Sequence, residues 1–147
     1  VKNHPFVRQT FSVGPKYQER VLDLSADEMI NDLLFITSLL ITDYSSSIFE
    51  AALLNIPMLF YVFDLEEYLD RRDLYFDFAS FAPGEMVRDS EELPGKIRDG
   101  LDGKYGQDVN YEKFREFFLS SLDGHSTERT MELIRDLYYE SGHGTLG

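Results

Sequence analysis

Residues 39–42 (LLIT) are apolar at their first three positions and show no period-two alternation, which predicts a short strand buried on both faces of a parallel sheet. Ile48, Ala51, Ala52 and Leu54 then recur at helical spacing, with Asn55 as the expected C-terminal stop ahead of Pro57. The run MLFYVF at 58–63 reads as a second buried strand. Strand, helix and strand in such close succession make one right-handed βαβ unit, so the expected fold class is α/β, a parallel sheet flanked by helices.

Outside this unit the pattern is less regular. Residues 11–20 carry the Gly-Pro punctuation of a loop, 21–23 suit a short strand, and Ser25 with Glu28 reads as a capping box opening a helix over 27–35. The segment 64–82 is dense in charge and aromatics, which suits a short helix followed by an extended arm. A strand is expected at 85–88, a helix capped by Ser90 and running to 101, and two further helices over 111–121 and 126–139. The reading is one domain over 1–140 and a frayed tail at 141–147, where His143 carries no role. No internal repeat is visible.

Composition narrows the function classes. The 147 residues are 43% hydrophobic with 12 Phe and 9 Tyr, enough to bury a core and too apolar for a disordered chain. Cysteine is absent, which removes disulfides and thiolate metal sites. A formal charge of −13 argues against a nucleic-acid partner, since neutralising phosphates takes clustered Lys and Arg. No apolar run approaches the ~20 residues of a membrane-spanning helix. No metal site is expected: Glu66 with Glu67, and Asp70 with Asp73, read as a solvated face. Tyr61, Phe63, Tyr68, Tyr75, Phe76 and Phe78 read as packing rather than as a stacking platform.

Candidate chemistry concentrates in DYSSS at 43–47, between the first strand and its helix. Ligands of open α/β sheets bind at such turns, beyond the carboxyl ends of the strands. Small hydroxyl residues there let a phosphate approach the free N–H groups of the following helix. Asp43 can cap the helix or orient hydroxyls, and Glu50, one turn on, can accept from a ribose diol. The same residues also suit ordinary N-capping, and composition and spacing leave both readings open.

Taken together, HPF at 4–6, ITDYSSSIFEAALLNIPMLFYVFDLEEY at 41–68, YFDF, APGEMV and DGHSTERTMELI resemble the CDP-glycerol glycerophosphotransferase family of teichoic acid polymerases and primases. The resemblance runs in order from His4 to about Leu137. It implies the C-terminal, nucleotide-binding, Rossmann-like half of a GT-B architecture, whose N-terminal half lies upstream and supplies the general base. It also implies transfer of glycerol phosphate from CDP-glycerol to a hydroxyl of a polyol-phosphate polymer or primer, releasing CMP, with no cofactor. A CDP-ribitol donor, a nucleotide-sugar donor and a non-catalytic nucleotide-binding domain are the alternatives. Cytoplasmic location is implied, with peripheral attachment to the inner face of a bacterial membrane through the other half.

The resemblance assigns roles residue by residue. His4 matches a pyrophosphate-contacting histidine, the one catalytic candidate, and also suits a turn before Pro5; Arg8 is a second candidate cation. Ser45 and Ser46 match phosphate-binding hydroxyls, with Thr42 and Ser47 as weaker candidates. Glu50 matches an acidic ribose ligand, or is a solvated helix carboxylate. Arg129, one turn inside the last helix, is expected to reach back to the phosphates.

Overall fold

The computed structural model describes residues 1–3, 12–26, 30–72, 76–105 and 109–140. The expectations for His4, Arg8, Glu28, Asp73, Tyr75, His143 and the tail fall outside them.

A single 3-10 turn at Pro15–Tyr17 precedes α1 (Ile30–Leu34), β1 (Leu40–Thr42), α2 (Ser47–Leu53) and β2 (Met58–Tyr61). After these come α3 (Leu65–Arg71), α4 (Phe78–Phe81), β3 (Glu85–Val87), α5 (Leu93–Leu101), α6 (Val109–Leu119) and α7 (Ser126–Glu140). The described strands form one parallel sheet in the order β1-β2-β3, with Ile41 opposite Leu59 and Leu59 opposite Glu85. The expected α/β class is met.

Alternation along the strands puts Leu40, Met58, Phe60 and Met86 on one face, where α1, α2, α4 and α6 cover them. Phe60, Met58, Ala51 and Ala52 are fully buried there, with Tyr111 and Phe114 of α6 almost so. On the other face α5 packs against β2 and β3, and Lys96 of α5 forms an ion pair with Glu85. This cover stops short of β1: Leu59 is fully buried whereas its neighbour Ile41 is 45% exposed. β1 is therefore half-covered rather than buried on both faces, because it lies at the edge of the described sheet.

Three features fix the end of α2. Asn55 adopts φ 56°, the left-handed stop expected of an Asn after a helix. Arg115 of α6 donates to Ala52 O and to Asn55 Oδ1, placing a cation on the last carbonyls of α2. Tyr111 Oη donates to Ile56 O at 3.0 Å, tying α6 to the same corner.

The structure departs from the sequence reading at several ends. Residues 21–23 do not form a full strand, yet Val1 N donates to Leu22 O and Leu24 N to Val1 O, a fragment of parallel ladder. The Ser25 hydroxyl is spent on Asp23 and on Asn3 N rather than on a helix cap. Ser90 does not cap α5: Asp89 accepts from Glu91 N at 2.9 Å, a local turn that delays the helix until Leu93 and Pro94. Among the described residues of 64–82 there are two short helices, the second capped by Asp77.

Helix α7 is amphipathic, and none of its residues is buried. Among the described residues no helix is long and apolar enough to cross a membrane.

Candidate functional site: the serine turn

The turn leaves the carboxyl end of β1 at Thr42, which is half-buried, and enters α2 at Ser47. Ser47 is 7% exposed and donates its hydroxyl to Ser45 Oγ at 2.9 Å, while Ser47 N donates to the same oxygen at 3.3 Å. Ser45 is thus the residue that satisfies the start of α2. Ser46 occupies the N-cap position, is exposed, and makes no side-chain cap bond. The capping and ligand readings therefore divide between neighbours: Ser45 does the capping, and the Ser46 hydroxyl is left facing solvent.

Glu50 lies four residues beyond Ser46, on the same face of α2. Its Oε2 is buried and has no hydrogen-bond partner among the described residues. Buried carboxylate oxygens are normally satisfied, so this one calls for a donor. Asp43 is exposed and makes no hydrogen bond among the described residues; it neither caps α2 nor holds a hydroxyl.

Arg129 sits elsewhere in the hydrogen-bond network. Its guanidinium makes a bidentate contact with Asp123 at 2.8 and 2.9 Å and reaches Ser121 O at 3.0 Å and Ser126 Oγ at 3.2 Å. These bonds close the α6–α7 turn around Gly124, whose φ is +82°, and none goes to the serine turn. The Arg129 hydrogen bond, first among its causes, holds the Asp123 carboxyl below the usual carboxylate range. His125 pairs with Glu128 on the same turn.

Two side chains that the sequence reading passed over complete the site. Tyr44, between Asp43 and Ser45, donates its hydroxyl to Asp64 Oδ1 at 3.0 Å and stacks on Tyr68 with ring centroids 3.8 Å apart. Burial, and then the bond to Asp64, push its phenol pKa well above the ordinary value. Asp64 follows β2 and borders a cleft of about 390 Å³ between residues 62–67 and Arg88, at the carboxyl ends of β2 and β3. An apolar groove of about 270 Å³ borders the turn itself, lined by Tyr44, Ser45 and Ser46 together with Phe78, Phe114 and Phe118. Phe76, Phe78 and Tyr68 pack against other aromatics, as expected of a packing role.

Among the described residues no group of three or more His, Asp or Glu side chains is arranged to hold a metal ion.

The Staphylococcus aureus teichoic acid ribitol-phosphate polymerase TarK is 40% identical over 140 residues, which are 93% of this chain and 25% of TarK. The Bacillus spizizenii teichoic acid poly(ribitol-phosphate) polymerase is 38% identical over 90% of this chain and 21% of its own length. The Bacillus subtilis teichoic acid poly(glycerol phosphate) polymerase is 37% identical over 91% and 18%. The chain thus spans about a fifth to a quarter of the length of these relatives. Among solved structures, the wall teichoic acid polymerase TagF superposes with a TM-score of 0.65 at 24% identity, over 86% of this chain and 31% of TagF, which shows the shared fold. Residues 1–136 match the family model described as CDP-Glycerol:Poly(glycerophosphate) glycerophosphotransferase, and the chain belongs to that family.

Proposed function

We propose that this chain is the donor-binding half of a transferase that moves glycerol phosphate from CDP-glycerol to a hydroxyl of a teichoic-acid-like polymer or primer. The observation that carries the reading is the serine turn. In a chain of this family, an uncapped, exposed Ser46 and an unpaired buried Glu50 oxygen stand on one helix face at the carboxyl edge of a parallel sheet.

In this reading the acceptor oxygen attacks the phosphorus that bears glycerol, and a new P–O bond forms. The bond from that phosphorus to the bridging oxygen breaks, and CMP departs with that oxygen. The acceptor proton passes to a base outside this chain. What this chain supplies is positioning and stabilisation of the charge gathering on the leaving phosphate. The Ser46 hydroxyl and the turn's backbone donate to phosphate oxygens, and Glu50 accepts from the ribose. His4, Arg8 and Arg129 are the cations proposed to join them, Arg129 after exchanging its Asp123 contact for the ligand. Asp43 is proposed to orient the Ser45 and Ser46 hydroxyls in the loaded site. The whole protein is proposed to work on the inner face of a bacterial membrane, held there through its other half.

A second reading, CDP-ribitol as donor, is supported by identity: relatives named for ribitol phosphate share 38–40%, those named for glycerol phosphate 33–37%. The test is a calorimetric titration with CDP, UDP and GDP in parallel, before and after chelation of divalent ions. Selective CDP binding that survives chelation is expected. No binding, or equal binding of all three, removes the donor-site reading.

A further inference from the structure

We propose that the hydrogen bond from Tyr44 to Asp64 is a latch that fixes the serine turn in its donor-binding shape, which makes Tyr44 and Asp64 positioning residues. The proposal rests on the donor-site reading above for its functional consequence, and on geometry for the latch itself.

Asp64 occupies the N-cap position of α3, where an Asp side chain ordinarily accepts from the first free N–H groups of the helix. It makes no such cap bond. Its Oδ1 instead accepts from Tyr44 Oη, 20 residues away in sequence. A cap given up for a distant phenol is a local preference overridden, and such sites concentrate where function constrains the chain.

Ile48 and Phe49 pack the far end of the turn against the core, but the hydrogen bonds of the turn itself are local. The side-chain hydrogen bonds of Ser45 and Ser47 stay within the turn, and Ile48 N and Phe49 N reach back only to Ser45 O and Ser46 O. Tyr44 makes the longer connection. Its ring lies on Tyr68 at an interplanar angle of 18° and meets Phe78 edge-on with centroids 5.4 Å apart, so α3, α4 and the β2–α3 corner all bear on one side chain. The latch therefore couples the end of β1 to the end of β2, across the edge at which the donor is proposed to lie.

The test uses Tyr44→Phe, which keeps the ring and removes the donor, with Asp64→Ala and Asp64→Asn. Hydrogen exchange is followed over residues 45–49 in the ligand-free chain, and CDP is titrated into each variant. Exchange at 45–49 is expected to quicken in Tyr44→Phe and Asp64→Ala while the β2 core keeps its protection. CDP affinity is expected to fall about threefold to tenfold in both, the range of one lost hydrogen bond. Asp64→Asn retains an acceptor oxygen and is expected to restore both readouts. Unchanged exchange at 45–49 in Tyr44→Phe overturns the latch, as does a loss of protection spread evenly over the chain. A wild-type chain that does not bind CDP overturns the donor reading and the functional role of the latch together. In that case the exchange data still decide whether the bond fixes the turn.

Discussion

Gly84 lies between the buried Pro83 and β3, in a segment that carries the family resemblance, and its role is steric. A Cβ built there falls 2.3 Å from Met58 O, 2.9 Å from Met58 C and 3.1 Å from Met58 Cβ. A carbon normally stays about 3.3 Å from a carbonyl oxygen, so Gly84→Ala forces a shift of about 1 Å between β3 and the start of β2. Met58 is fully buried and the nearest atoms are backbone, so no rotamer change relieves the clash. Overpacking of this kind costs about 1–3 kcal/mol, and a backbone clash belongs at the upper end. The lower freedom of Ala in the unfolded chain offsets about 0.4–1 kcal/mol, leaving a net loss of roughly 2 kcal/mol.

The assay is urea unfolding of both forms, in which the midpoint should fall at an unchanged slope. For a domain of this size the melting temperature should drop by roughly 4–8 °C. Gly95→Ala is the control, since nothing lies within 4 Å of a Cβ at that position in α5, and it should be neutral or stabilising. A Gly84→Ala midpoint at or above that of the wild type would falsify the close-packing account. The spacing matters for the site because Asp64 follows β2 and Arg88 follows β3, so a strand displaced at its start displaces the cleft at its end.

Ser46→Ala should weaken CDP binding by about 1 kcal/mol with no change in melting temperature, read by calorimetry and thermal unfolding. Ser45→Ala should instead cost about 0.5–2 kcal/mol of stability, because it removes the acceptor used by Ser47. Arg129→Ala should let the Asp123 carboxyl return toward its ordinary value of 3.8, which a carboxyl-carbon NMR titration reads directly. In the wild type that pairing stabilises the fold above the ordinary value and is lost as pH falls through the lowered one, so Arg129→Ala should flatten the acid limb of the stability curve. If Arg129 also serves the phosphates, the variant should lose more affinity for CDP than for cytidine; equal losses remove it from the site.

The βαβ unit was legible because its three signals agree: an apolar run, a helical period and an Asn stop. Asn55 behaves as its side chain predicts, taking the left-handed position at φ 56° with its Oδ1 accepting from Arg115. Ser90 and Ser25 do not cap, because Asp89 and Asp23 hold nearby backbone or hydroxyl groups first, a competition invisible to a position-by-position reading. The edge exposure of Ile41 was likewise hidden, since an apolar run states what a strand prefers to touch and not which helix reaches it. Within the candidate site, the serines and Glu50 stood out by their place behind the first strand, with capping and ligand binding both open. Tyr44 and Asp64 were missed, since a tyrosine among small polar residues and an aspartate opening the charge-dense segment 64–82 carry no sequence signal of a contact with each other. Only their contact across 20 residues gives them another meaning.

The charge of the chain sets a last constraint on how a diphosphate is held. With 27 acidic and 14 basic residues, the long-range field repels an anionic donor. The cations with ion-pair partners among the described residues, Arg71, Arg88, Lys96, Lys104 and Arg129, are each already taken by a carboxylate. Two modes of binding then make opposite predictions. If hydroxyls and backbone N–H groups hold the phosphates, the dominant charge effect is repulsion by the body of the domain. Salt screens that repulsion, and CDP affinity should stay level or rise between about 0.05 and 0.3 M salt, as the screening length falls from roughly 14 to 6 Å. If His4, Arg8 or a released Arg129 supplies most of the binding through direct charge pairing, affinity should fall over the same range. Because Ser46 is the exposed, uncapped hydroxyl of the turn, the first mode is expected, and the slope of CDP affinity against salt decides between them.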